Sequence, residues 1–382
     1  MLRTLAHSRT MTSIVSYPNH IAGLKPYLPG KPVSQVARLL PGQRIIKLAS
    51  NENPLGASPR AITALAQGGV DMSQYPDNDC TDLVSALAEF HGVSCDMIVV
   101  GAGSESILGT AVSTILSVGR RTSYAQYSFQ AYVNAAQRLG ATAIQVPSPD
   151  FIVDLAGLHQ TLAQDPALIY IANPGNPTGT CIDPGQLETF IRSVPSHVVV
   201  LLDEAYFEYM PAELRVDSVR LAEKLPNLLV TRTFSKAYGL AGLRVGYGIA
   251  HPNLAGMLRR VRAPFTVTEA AQRAAIAALE DTDFLARTVA LNSEAKALMQ
   301  EGLTALGLTV VPSHTNFLLV DVADGAEWTH RLERRGLIVR PVAAYGLREF
   351  VRISVGTLAD TQAVLDAFKA EMHPSENEKS GD

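Results

Sequence analysis

Residues 231–247 read TRTFSKAYGLAGLRVGY. The apolar run NLLV before them and RVGYGIA at their end have the character of two buried strands, so Lys236 stands directly after a strand, among small and hydroxyl-bearing residues. Strand ends in parallel sheets are where α/β proteins build their sites. A buried ammonium is costly unless it is paired or neutralised. An amine that condenses with an aldehyde cofactor loses its charge and gains covalent chemistry. Arg244, eight positions downstream of Lys236 and past the GLAGL turn, carries a guanidinium able to fork onto a phosphate.

Working outward, residues 96–250 alternate short apolar runs with amphipathic stretches. DMIVV, ATAIQVPS, ALIYIANP, HVVVLLDEAY and NLLVTRTFS read as buried strands. SILGTAVSTIL, FQAYVNAAQRLG and PGQLETFIRSV read as helices punctuated by Gly or Pro. That alternation predicts an α/β fold with a mainly parallel sheet covered on both faces. After Pro264 long alanine- and leucine-rich helices give way to short strands at TNFLLVDV, GLIVRPV and FVRISVG, which predicts a smaller α+β C-terminal domain. Four prolines between Pro18 and Pro32 argue against a regular helix there. The expected organisation is a flexible extension (1–16), an arm packing on the small domain or a partner (17–49), a large domain (50–262), a small domain (263–372) and a disordered tail (373–382).

The 382 residues are 47% hydrophobic and 18% charged, with a net charge of −4, which fits a compact enzyme and argues against a polyanion-binding surface. No charge-free run of about 18 apolar residues suggests a membrane span. Three cysteines without ligand spacing read as reduced thiols of a cytoplasmic protein, and the nine histidines show no metal-binding pattern. The basic start MLRTLAHSRTMTS is read as an extension rather than a transit peptide.

Three further motifs carry chemistry. ANPGNPTG (172–179) brackets Asn176 with proline and glycine at a strand end. VVVLLDEAYFEY (198–209) sets Asp203 at the end of a very apolar strand, where an unpartnered carboxylate is expensive, and Tyr206 three residues on. GAGSES (101–106) opens a helix after DMIVV, so Gly103 and the amides of Ser104 and Glu105 can meet a phosphate at the positive end of the dipole. The same stretch nearly matches the dinucleotide pattern G-x-G-x-x-G, which keeps a nicotinamide-dependent dehydrogenase as the rival reading. Against it, the sixth position is Ser106 and no acidic residue ends a second strand about 20 positions on.

Together these motifs resemble the fold-type I pyridoxal 5'-phosphate (PLP) aminotransferases, most of all the histidinol-phosphate aminotransferase family, over about residues 20–370. The resemblance implies a large PLP-binding domain around a seven-stranded sheet, and a homodimer with shared active sites. It implies that Lys236 is the catalytic amine, that Asp203 meets the pyridine nitrogen, and that Asn176 and Tyr206 contact the phenolic oxygen. Thr233, Ser235 and Arg244 join the helix amides at the phosphate. Tyr127 stacks on the ring, with Tyr124 and Tyr132 as rivals, and Tyr75 reaches the neighbouring subunit's phosphate. Substrate is implied at Asn51 and Asn53 of IIKLASNENPLG, at Arg352 (the α-carboxylate of glutamate or 2-oxoglutarate), and at Arg340 with Tyr27 (the substrate phosphate). The expected reaction is transamination of histidinol phosphate with 2-oxoglutarate. An aromatic amino acid donor and a phosphothreonine decarboxylase activity are the alternatives within the cofactor class. The segment APFTVTEAAQ departs from relatives at Thr266, where asparagine is usual.

Overall fold

The computed structural model describes residues 15–24 and 31–373; Tyr27, residues 1–14 and the tail 374–382 lie outside the described residues. The strands in chain order are β1 (Ile46–Lys47), β2 (Ile98–Gly101), β3 (Arg121–Ala125), β4 (Thr142–Val146), β5 (Leu168–Ala172), β6 (Val199–Asp203), β7 (Leu228–Thr233), β8 (Gly246–Ala250), β9 (Thr309–Val311), β10 (Phe317–Asp321), β11 (Leu337–Ile338), β12 (Arg340–Val342) and β13 (Leu347–Ser354). Seven of them form the large sheet in the order β2-β8-β7-β6-β5-β3-β4. Pairing is parallel from β7 through β4, while β8 runs antiparallel to both its neighbours.

The side-chain period of two explains why this sheet is covered on both sides. Ile169, Ile171, Val200 and Leu202 enter one core with the helices Thr81–His91, Pro184–Ser193 and Ser218–Lys224. Leu168, Tyr170, Val199 and Leu201 alternate with them into a second core, under Ser104–Ile115, Gln130–Arg138 and Pro252–Val261. One strand departs from expectation. β4 ends the sheet, so four of its five residues are not fully buried, although ATAIQVPS is apolar enough to read as an interior strand.

The smaller lobe is the antiparallel sheet β12-β13-β10-β9 with the helices Thr282–Ala305, Gly325–Arg334 and Leu358–Met372. Its core gathers Met299, Leu318, Leu332, Val351, Ile353 and Phe368. The helix Glu269–Leu279, expected in the small domain, buries Ala271, Ala274, Ala275 and Ala278 in the large-sheet core instead. Its small side chains let it approach Pro59–Ala66 and Thr81–His91 closely. The arm joins the small lobe: β1 pairs in parallel with β11, and Ser354 donates its backbone N–H to Leu48 O at 2.8 Å. Among the described residues of the arm, helix is confined to the single turn Asn19–Ala22 and the short Val33–Leu39, which begins just after Pro32.

The loop after β7 packs against the segment after β1 at two glycines. Gly239 has φ +72°, and a Cβ there would land on the carbonyl of Gly56, whereas nothing lies within 4 Å of a Cβ at Gly242. Gly239→Ala therefore combines left-handed strain with a backbone clash and is expected to cost about 2 kcal/mol or more. Gly242→Ala should stay within about 0.5 kcal/mol of wild type, since it meets no such feature. Urea unfolding of the two variants checks the contrast.

Candidate active site

Four strand ends converge on one crevice. Lys236 follows β7, Asp203 ends β6, Asn176 follows β5, and Arg352 rises from β13 of the small lobe. Lys236 is half-buried, and its Nζ donates to Ser50 O at 3.1 Å and stands 5.8 Å from the centre of the Tyr206 ring. Burial, reinforced by the Arg352 and Arg244 guanidinium groups, pulls its amine down to about 7. Near neutral pH it is thus poised to give and take a proton.

Asp203 is 4% exposed. Its Oδ2 accepts from Tyr170 OH at 2.9 Å and its Oδ1 from Thr231 Oγ1 at 3.0 Å. Burial pushes the carboxyl up to about 6, against the lowering effect of these donors and the Ala205 N–H. Tyr206 OH accepts from Asn51 Nδ2 at 2.9 Å and Asn176 Nδ2 at 3.2 Å, while burial pushes the phenol up to about 12. Asn176 in turn accepts at Oδ1 from Arg352 Nη1 at 2.6 Å, and Arg352 Nη2 reaches Ala49 O at 3.0 Å. One polar network thus ties the arm, the large domain and the small lobe together.

At the other end of the crevice lies an anion cradle. Gly103 precedes the helix Ser104–Ile115 with φ +80° and no side-chain cap. A Cβ on Gly103 would stand 2.5 Å from Arg244 Nη2, and one on Gly246 would strike the Ser104 N–H nitrogen. Both positions must be glycine for the helix N-terminus to sit beside the guanidinium. Arg244, itself at φ +55°, is held by Ser235 Oγ at 3.3 Å, and Thr233 Oγ1 accepts from Ser235 N at 3.1 Å. Ser104 and Glu105 open the helix at this cradle. A free helix N-terminus facing an arginine suits a phosphate group.

The other expected positions divide. Tyr127 is half-buried, 5.7 Å from the Phe151 ring, whereas its rivals Tyr124 and Tyr132 are buried in the second core. Asn51 is in the network, with a left-handed φ of +56°. Asn53 is engaged by the fold: its Nδ2 donates to Ala237 O and Thr288 Oγ1, and its Oδ1 accepts from Leu55 N. Its amide thereby braces the loop that carries Lys236. Arg340 pairs across the strands with Arg352. Tyr75 is 82% exposed and stacks on Phe265 at 4.7 Å. Sequence reasoning missed Tyr170, Thr231 and Ser354. Ser354 donates to Asn51 Oδ1 at 2.9 Å and accepts from Asn51 N. Nothing in the sequence marks it, because it lies 303 positions away from its partner.

The residues fit PLP: a buried amine for the aldehyde, a buried carboxylate for a ring nitrogen, a tyrosine–asparagine pair for a phenolic oxygen and a glycine-lined cradle for the phosphate. In the cofactor-free chain, the neutral amine of Lys236 is the nucleophilic form. Its rate of acetylation should therefore rise through about pH 7, while surface lysines respond near ~10. Peptide mass spectrometry across a pH series reads both.

Comparison with known proteins agrees. The family described as aminotransferase class I and II matches residues 43–368. Histidinol-phosphate aminotransferase 1 of Thiobacillus denitrificans is 46% identical over 353 residues, 92% of each chain. Histidinol-phosphate aminotransferase 2 of Ralstonia nicotianae is 44% identical over 365 residues, covering 94% of this chain and 98% of that one. Among solved structures, the histidinol-phosphate aminotransferase of Sinorhizobium meliloti in complex with pyridoxal-5'-phosphate superposes with a TM-score of 0.86 at 27% identity, over 95% of this chain and all of that one. The dehydrogenase reading of GAGSES falls with these matches. The strand before it lies at the sheet edge with an antiparallel neighbour, where a dinucleotide fold needs a central parallel one. The chain belongs to the class I and II aminotransferases and is a PLP-dependent enzyme.

Proposed function

We propose that the enzyme moves an amino group from histidinol phosphate to 2-oxoglutarate, giving imidazole acetol phosphate and glutamate. The observation that carries this reading is the cross-strand pairing of Arg340 with Arg352, on one face of the small sheet beside the crevice. A guanidinium makes its strongest contacts with carboxylate and phosphate groups. A phosphorylated donor and a dicarboxylic acceptor supply them, whereas an aromatic donor brings only its carboxylate. The names of the relatives at 44–46% identity point the same way.

PLP, when bound, supplies an aldehyde that condenses with amines and a ring that withdraws electrons from the substrate α-carbon. Everything else is the chain's. Arg244, Ser235, Thr233 and the amides opening the helix at Ser104 hold the phosphate, and Tyr127 lies against the ring. Asp203 holds the proton at the ring nitrogen. Asn176 and Tyr206, braced by Asn51, direct hydrogen bonds at the phenolic oxygen. Lys236 first anchors the aldehyde. Its amine, held near 7, would also serve to take and return the proton of the substrate α-carbon. Arg352 grips the α-carboxylate and Arg340 the substrate phosphate.

We also infer a cytoplasmic homodimer in which Tyr75 serves the neighbouring subunit's cradle. Tyr75 and nearby Met72 are 82% and 95% exposed, large apolar side chains that their own fold leaves open to solvent apart from the Tyr75–Phe265 stack. The three cysteines are free thiols, as a reducing compartment requires. No helix among the described residues is long and apolar enough to cross a membrane.

Purified enzyme should be yellow, and Lys236→Ala should lose the visible band that reports the amine–aldehyde link, together with all turnover. Arg340→Ala should lower kcat/KM for histidinol phosphate by about a hundredfold, the worth of a charge-assisted contact, and leave phenylalanine within about threefold. Equal losses on both donors would remove the phosphate role. Mixing inactive Tyr75→Ala and Lys236→Ala chains should restore activity if sites are shared, since some hybrid sites then contain both residues; no recovery after subunit exchange is verified would defeat the shared-site reading.

A further inference from the structure

Tyr170 has no place in the chemistry described so far, yet it is fully buried and donates its hydroxyl to Asp203 Oδ2 at 2.9 Å. Its position is tightly set. The ring stacks on Tyr132 with centroids 4.1 Å apart and planes within 7°. The Tyr132 hydroxyl bonds Thr122 Oγ1, and Thr122 in turn donates to Leu168 O at 3.0 Å. With Thr122's proton committed there, Tyr132 is the donor to Thr122. From the next strand Thr231, also fully buried, donates to the other Asp203 oxygen at 3.0 Å. Each oxygen of the carboxylate thus receives one hydroxyl proton from a rigid neighbour.

A carboxyl and a pyridine in a dry crevice share one proton, which can sit on either group. Desolvation favours the neutral pair, with the proton on the acid. Hydroxyl donors favour the carboxylate and so leave the proton on the ring. We propose that Tyr170 is a positioning residue of the transamination: with Thr231 it keeps Asp203 ionised and aimed, so that the shared proton stays on the cofactor's ring nitrogen. The inference rests on the reading that Asp203 faces that nitrogen. A neutral ring withdraws electrons less, so losing the hydroxyl slows proton removal from the α-carbon without weakening substrate binding.

The test uses holoenzyme loaded with PLP carrying nitrogen-15 in its ring, read by NMR, with steady-state kinetics alongside. Asp203→Asn marks the neutral end of the nitrogen shift. Tyr170→Phe keeps the stacked ring and removes only the hydroxyl. It should move the shift part of the way towards the neutral end and lower kcat about tenfold, with both KM values within about twofold. Added to Asp203→Asn, it should change neither readout further, as expected if it acts through that carboxylate. Thr231→Val should act in the same direction and Thr231→Ser should restore the wild-type shift, which keeps the idea testable should Tyr170→Phe fail to fold. A wild-type nitrogen shift in Tyr170→Phe overturns the role of Tyr170. An unmoved shift in Asp203→Asn overturns instead the placement of Asp203 on which it stands.

Discussion

A primary amine buried beside two guanidinium groups is the constraint around which this molecule is built. Lys236 has Arg352 and Arg244 among the charges that oppose its protonation, and the nearest oxygen it reaches is the Ser50 carbonyl. The Glu52 carboxylate pulls the other way, but burial and the arginines outweigh it. A charged ammonium in that position is poorly tolerated, so the amine is held near neutrality until an aldehyde takes it up. The arginines that make the amine reactive are the ones that, in the proposed reaction, meet the substrate and cofactor anions. Anion binding and amine chemistry are therefore coupled through the same electrostatics.

The second constraint is that polar atoms taken out of water need partners. Tyr206, Asn51, Asn176, Arg352 and Ser354 satisfy one another across three parts of the chain. A ring of this kind fixes its donors in place, and it makes lobe position and site geometry one variable. Displacing the small lobe by the width of a hydrogen bond would loosen Arg352 from Asn176, and with it the aim of Asn176 at Tyr206.

Much of this was legible in the residues themselves. Strand-end positions such as Lys236, Asp203 and Asn176 stand out because a polar group closing an apolar run has few structural excuses. The alternation of β5 and β6 between two cores is visible as near-continuous apolar runs, which is how a doubly covered sheet reads. What escaped was long-range partnership. Ser354 and Tyr170 look like ordinary strand residues, and their meaning depends on register and on neighbours far along the chain. The edge status of β4 is likewise a property of sheet order, which local hydrophobicity does not encode. The lobe assignment of Glu269–Leu279 turned on helix-to-helix fit of alanines, where amphipathicity says only that some face is buried. Asn53 shows the same limit: the motif marks the position, but its bonds to Ala237 and Leu55 appear only once the chain is folded.

The parallel pairing of β1 with β11 joins Ile46 to Leu337. During synthesis the arm leaves the ribosome long before its partner strand exists, and non-local pairings of this span close late. The large sheet can assemble first, with its helix N-terminus and Arg244 already in place, while Asn51 still waits for Ser354. Nascent chains thus pass through a stage that can attract a phosphate without being able to seat a whole cofactor. Completion of the polar network is therefore tied to the last strand, because Asn51 has its Ser354 partner only when that strand is in place.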